Sequence, residues 1–120
     1  MYDVITIGNP TIDTFLVVSP QDIHSETKKG KRFFVIQAGA KIAIQAIEKR
    51  LGGNAANVAV GVRRLGLNTA MLCQIGNDRE GYFVYNSFRN EKVSVRFIAR
   101  KKGCAVNESS ILHHENDKVI

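Results

Sequence analysis

The chain has 120 residues, 44% of them hydrophobic and 23% charged, with a formal net charge of +6. Such a length fits one domain on the usual scale of ~100–200 residues, and the balance of apolar to charged residues excludes a chain that stays disordered. No apolar run reaches the ~18 residues of a membrane helix, MYDVITIG has Asp3 and no basic residue and so is no secretory signal, and Cys73 and Cys104 match no metal or redox spacing, which together suit a reduced cytoplasmic setting.

In chain order, Asp3–Ile7 (DVITI) is mostly β-branched and predicts a buried strand, punctuated by Gly8-Asn9-Pro10-Thr11. Asp13–Val18 predicts a second strand. Ser19–Lys31 is polar and basic, holds Pro20 and Gly30, and reads as a loop. Arg32–Gln37 is another strand, closed by Ala38-Gly39-Ala40. Ile42–Leu51 alternates only in part, so its flanks favour a strand while a helix stays open. Asn54–Leu65 predicts a helix that is apolar on nearly all sides and so is expected to be buried on several. Its arginines, Arg63 and Arg64, suit the negative end of the helix dipole, and Gly66 suits the residue after the cap. Asn68–Ile75 is a strand ended by Gly76. Asp78–Asn90 is a second helix with Tyr82, Phe83, Tyr85 and Phe88 as its apolar surface. Val93–Ala99 alternates as a strand, Cys104–His114 as a broken one, Glu115–Lys118 as a hairpin turn, and Val119-Ile120 opens another apolar run.

Strand, helix, strand, helix, strand at 3–8, 54–66, 69–75, 78–90 and 93–99 is a βαβ succession, which implies a parallel sheet. The strands without crossover helices, at 13–18, 32–37, 44–51 and 104–120, suit a small separate sheet. The lid is therefore drawn from about 13–51 and 95–120, inserted in or appended to the α/β core. Ligands of open α/β sheets bind at the C-terminal edge of the strands, where such a lid would lie. A thin parallel sheet needs cover on both faces, so the chain is expected to be the N-terminal part of something longer.

Gly52-Gly53-Asn54-Ala55-Ala56-Asn57 lacks the third glycine of a dinucleotide fingerprint and the Gly-Lys-Ser/Thr of a phosphate loop. Its plain reading is a tight turn that lets helix and sheet pack closely. Asn57 weakens that reading, because a buried amide without partners costs about 1–3 kcal/mol. Asp13 reads by itself as a turn carboxylate, but it follows the first strand at the edge where the helix begins. A carboxylate accepting from vicinal hydroxyls, with an amide opposite and the Thr11 hydroxyl nearby, makes a plausible sugar clamp. Asp78 is read as a helix N-cap, Cys73 as a core residue, and His113-His114 as neighbours on opposite strand faces. His24 stands alone in a loop. The basic clusters Lys28–Arg32 and Arg96–Lys102 carry little aromatic interleaving, so a nucleic-acid surface is disfavoured, while attraction of phosphorylated small molecules is compatible.

Taken together, IGNPTIDTFL at Ile7–Leu16, GGNAANVAVGVRRLG at Gly52–Gly66 and IGNDREG at Ile75–Gly81 resemble the PfkB (ribokinase-like) family of sugar and nucleoside kinases. The resemblance implies a truncated Rossmann-like α/β sheet with flanking helices and a small β lid. It implies transfer of the ATP γ-phosphate to a hydroxymethyl group, with magnesium. Asp13 would hold sugar hydroxyls, Gly53 and Asn57 would contact the same ring, and Thr11 and Asn54 are weaker carry-overs. The lid would close over a sugar or nucleoside and could form a homodimer. The family's Gly-Ala-Gly-Asp segment, which supplies the catalytic base and anion hole, occurs nowhere in the chain. The base and the ATP site are therefore expected beyond residue 120, the chain alone is expected to be inactive, and no bound cofactor or metal is expected on it. A non-catalytic sugar- or nucleoside-binding module is the alternative, and a basic nucleic-acid-binding domain a third reading.

Overall fold

The computed structural model describes residues 1–114 and, after them, the backbone of a strand at 117–119. The hairpin turn expected at Glu115–Lys118 falls in part on 115–116, outside the described residues, as does Ile120. Nine strands and two helices follow in the order β1 (Val4–Ile7), β2 (Thr11–Val18), β3 (His24–Lys28), β4 (Lys31–Val35), β5 (Ile44–Gly52), α1 (Asn54–Arg64), β6 (Thr69–Gly76), α2 (Arg79–Asn90), β7 (Ser94–Lys101), β8 (Asn107–His114) and β9 (Asp117–Val119) among the described residues. Two compact units divide them: Met1–Asp13 with Arg50–Ser109, and Thr14–Lys49 with Ser110–Ile120.

The first unit holds a parallel sheet of order β1-β6-β7. Ile7 pairs with Leu72 and Leu72 with Phe97, and the register shifts between Ala70 and Leu72. β7 belongs to this sheet, so the small-sheet region drawn from 95 onward begins only after Lys101. Consecutive right-handed crossovers in one direction put both helices on one face. Accordingly α1 packs on β1 and β6, and α2 on β6 and β7. Ala56 and Ala59 of α1 and Val84 and Phe88 of α2 meet Met71, Cys73 and Ile75 of β6, with Ile12 and Val93 completing the core. On the other face Ile5, Ile7, Leu72 and Phe97 are exposed.

Both helices end alike. Leu67 N–H donates to Val62 O and Gly66 N–H to Arg63 O; Val93 N–H donates to Phe88 O and Lys92 N–H to Arg89 O. These are paired Schellman bonds, which demand a left-handed residue after the cap. Gly66 (φ 96) fills that place on α1 and Lys92 (φ 58) on α2.

α1 departs from expectation. It is buried on one face only: Asn57, Val58, Gly61 and Leu65 face solvent. Within the nearly continuous apolar sequence Ala56, Ala59 and Val60 pack on the core while Val58 does not, and hydropathy alone does not separate them. In α2, Val84 takes the buried place expected of Tyr82, which is 58% exposed.

In the second unit β3, which lies inside the expected loop Ser19–Lys31, forms an antiparallel hairpin with β4, the strand expected at Arg32–Gln37. Lys29 (φ 50) and Gly30 (φ 73) are both left-handed, as a two-residue type I′ turn requires. HSETK is polar throughout and all exposed, so no alternation marks it as a strand. A second sheet has the order β5-β2-β8-β9, which settles Ile44–Gly52 as strand. Val18, Ile23, Ile111 and His114 are buried in this unit, and Phe34 meets the His114 ring edge-on at 5.5 Å.

Candidate functional site

The site begins at the C-terminal end of β1. Gly8-Asn9-Pro10 turns the chain into β2, where the strand's two-residue period puts Thr11 and Asp13 on one face and buries Ile12 on the other. Thr11 Oγ1 donates to Asp13 Oδ1 over 3.4 Å, a long bond that leaves most of the carboxylate's acceptor capacity free. A side chain at Gly52 would collide with Asp13 Oδ2 and come within 2.7 Å of Thr11 Oγ1. The absence of a Cβ there is what leaves room for both oxygens.

Gly53 then opens α1 with φ 95 and ψ 139, and no side chain caps the helix. A Cβ at Gly53 would lie 2.7 Å from Asn9 O and 3.2 Å from Thr11 N. The glycine pair therefore brings the helix start directly onto the turn that carries Thr11. The first helical bond is Asn57 N–H to Gly53 O at 2.9 Å, so the first-turn N–H groups of Asn54, Ala55 and Ala56 keep no helical acceptor. Such a terminus attracts an oxygen-rich ligand. Asn54 and Asn57, three apart, stand exposed on the same side of this first turn. Asn57 is thus not the buried amide the apolar sequence suggested: its side chain needs no internal partner, and the desolvation argument for it falls away.

Next to the Asn9-Pro10 turn lies a cavity of about 340 Å³ lined by Asn9, Pro10, Gln74 and Cys104–Asn107. All of these side chains are uncharged, and three carry amides. Gln74 is the polar interruption of the apolar strand TAMLCQIG, a signal that sequence reasoning passed over. The Gly76–Gly81 turn has a structural role. Asp78 caps α2 by accepting from Gly81 N–H at 2.8 Å, and a side chain at Gly81 would strike Gly76 O.

A carboxylate, a hydroxyl, open backbone donors and amides can bind a polyol. They do not make an acid–base pair or a phosphate cradle. Gly52 and Gly53 are spent on close packing, and no group of three His, Cys, Asp or Glu among the described residues could hold a metal. Cys73 is 7% exposed, and burial pushes its thiol up to about 11, so it is no thiolate nucleophile. The structure brings Thr11, Asp13 and Gly53 to one place, adds Gly52 and Asn9 beside them, and sets Gln74 and Asn107 in the adjoining cavity, residues that the motifs did not single out as site residues.

The chain is similar to several known proteins. The chain is 30% identical over 126 aligned positions to 5-dehydro-2-deoxygluconokinase of Clostridium perfringens, covering 96% of this chain and 32% of that protein. It is 33% identical over 100 positions to the protein of the same name from Clostridium tetani, covering 83% of this chain and 24% of that one. The chain thus spans about a quarter to a third of the length of these relatives. Among solved structures it matches Arabidopsis thaliana ribokinase complexed with ribose and ATP, with a TM-score of 0.74 at 12% identity, over 98% of this chain and 34% of that one. It also matches Methanocaldococcus jannaschii nucleoside kinase with a TM-score of 0.69 at 22% identity, over 99% and 36%. These likenesses are of fold. Residues 23–118 match the description of the pfkB family carbohydrate kinases, and with the relatives at 30% identity and above they establish that this chain belongs to that family.

Proposed function

We propose that the chain is the substrate-binding part of an ATP-dependent kinase that phosphorylates a hydroxymethyl group of a small polyhydroxylated substrate. The observation that carries this reading is the packing of the Gly52-Gly53 pair against Thr11 and Asp13, which leaves a carboxylate and a hydroxyl beside an uncapped helix start. In this reading Asp13 accepts from two substrate hydroxyls, Thr11 supports it, and Gly53, Asn54 and Asn57 contact the same ring. The names of the relatives favour a six-carbon keto sugar acid over a nucleoside. The neutral amides Asn9, Gln74 and Asn107 suit its hydroxyl and keto oxygens.

ATP and magnesium belong, on this reading, to parts of the parent enzyme outside these 120 residues. So does the base that activates the hydroxymethyl group, since no Gly-Ala-Gly-Asp segment is present. The chain alone is then inactive. The strands at 14–49 and 110–120 are assigned to the lid and to any homodimer contact. Among the described residues no helix is long and apolar enough to cross a membrane, and Cys73 and Cys104 are free; a cytoplasmic location is part of the proposal.

The test is phosphoryl transfer by the parent enzyme to 5-dehydro-2-deoxygluconate, fructose, ribose and adenosine. The keto acid should be used best. Asp13→Asn, which keeps the shape and removes the charge, should lower kcat/KM about 100-fold, the worth of two weakened charge-assisted hydrogen bonds, with an unchanged circular-dichroism spectrum. Unchanged turnover in that variant would remove Asp13 from the site.

A further inference from the structure

The opposite end of the same unit carries a second cavity, of about 480 Å³, lined by Tyr2, Arg63, Asn68, Lys92, Ser94 and Arg96 among others. These residues precede or begin β1, β6 and β7, or end or follow the helices, so the cavity lies at the N-terminal edge of the parallel sheet. The candidate sugar site lies at the other edge. We propose that this cavity is a binding site for a phosphate group, inorganic or carried by a small metabolite, separate from the sugar site.

Its cations outnumber its anions. Arg63, Lys92 and Arg96 line it. No carboxylate pairs with Lys92 or Arg96 among the described residues. The nearby acids are engaged: Glu91 holds Arg64, and Asp3 accepts from Asn68 N–H at 2.7 Å. Arg63 is fixed in place, since its Nε donates to Lys92 O at 3.0 Å and its Nη1 to Leu67 O at 3.3 Å. Its Nη2 remains to donate a charge-assisted bond to a phosphate oxygen. Tyr2 and Ser94, whose hydroxyls stand 2.8 Å apart, add uncharged donors.

Basic residues at helix C-termini also answer the helix dipole, and that explanation covers Arg63 and Arg64. It reaches the charge of Lys92 as well, but neither the backbone of Lys92 nor Arg96, which lies in β7. The carbonyl of Lys92 is already served by Arg63, and its backbone is left-handed at φ 58, where α1 uses Gly66 for the same turn. A side chain held in a conformation that glycine would adopt without strain points to a use for its charge.

The test is binding of inorganic phosphate, and of a hexose phosphate against the free hexose, to the purified protein by calorimetry and by thermal shift at constant ionic strength. Saturable binding of phosphate and hexose phosphate, but not hexose, is expected. Arg96→Gln should weaken it about tenfold, the loss of one charge-assisted bond. Lys92→Gly separates the proposal from a structural role. It should raise the Tm of the ligand-free protein by a few degrees, by relieving the left-handed strain, while abolishing the phosphate-dependent rise. Asp13→Asn should leave phosphate binding intact. Equal stabilisation by chloride at matched ionic strength would overturn the proposal, as would full binding by the Lys92→Gly and Arg96→Gln variants. Binding only of oligonucleotides, growing with their length, would overturn it too and reveal a polyanion surface.

Discussion

Gly53 and Gly61 stand two turns apart at the start and in the body of α1, yet substitution should act on them in opposite directions. Gly53 has φ 95 and its missing Cβ faces Asn9 O, whereas nothing lies within 4 Å of a Cβ at Gly61. Gly53→Ala should destabilise the fold by about 1–3 kcal/mol, from the backbone region it must occupy. Gly61→Ala should stabilise it by about 0.5–1 kcal/mol through helix propensity. Urea titration of the two variants reads the difference, and equal effects would mean that the close approach of helix and turn is not needed. Cys73 gives a residue-scale dependence on pH. Burial raises its thiol to about 11 in the fold, while an unfolded cysteine titrates near ~8.5. The proton is therefore held more tightly by the folded chain. This contribution is full below ~8.5 and is lost as pH rises toward 11. Tm should fall over that interval, and Cys73→Val, similar in volume and unable to ionise, should flatten that part of the decline. Dithionitrobenzoate should label the partly exposed Cys104 well before Cys73.

The elements owe their limits to a few residues each. Asp78 satisfies the N-terminal turn of α2 through Gly81 N–H. Asp78→Ala should cost about 1 kcal/mol, visible as a lower Tm, whereas Asp78→Ser should largely restore it. A loss of activity without any loss of stability would instead give Asp78 a chemical role. The two helices and the parallel strands were legible in the sequence because their signals are local: β-branched runs, caps, and glycine at the point where each run stops. Strand β3 and its turn were not, because HSETK carries no apolar alternation and the turn rests on two left-handed residues, Lys29 and Gly30, whereas β4 falls on the strand expected at Arg32–Gln37. The candidate site was legible in part for the same reason. Asp13 and Gly53 sit on motifs with a clear stop, while Gln74 and Asn107 lie on segments distant in the sequence that meet at one cavity. Asn57 lies in the first turn of α1, and its exposure is not legible because apolar sequence alone does not say which faces of a helix are covered.

At the scale of the whole molecule, the handedness of the two crossovers governs what the chain can do alone. It gathers α1 and α2 on the Met71–Cys73 side and leaves Ile5 (47%), Ile7 (71%), Leu72 (42%) and Phe97 (37%) exposed on the opposite side. These residues are adjacent across the register β1-β6-β7, so they form one continuous apolar surface. Parallel sheets carry cover on both faces, and a contiguous exposed apolar patch on a soluble protein drives association. The isolated 120-residue chain should therefore bind a hydrophobic dye in its native state and self-associate as its concentration rises. Both effects should diminish in the double variant Ile7→Thr with Leu72→Thr, which keeps β-forming side chains while removing apolar area from the middle of the patch. Far-ultraviolet circular dichroism should stay the same, since neither residue belongs to the packed core. Sedimentation velocity decides the matter. A wild-type chain that stays monomeric and dye-free at high concentration would show that this face does not drive association.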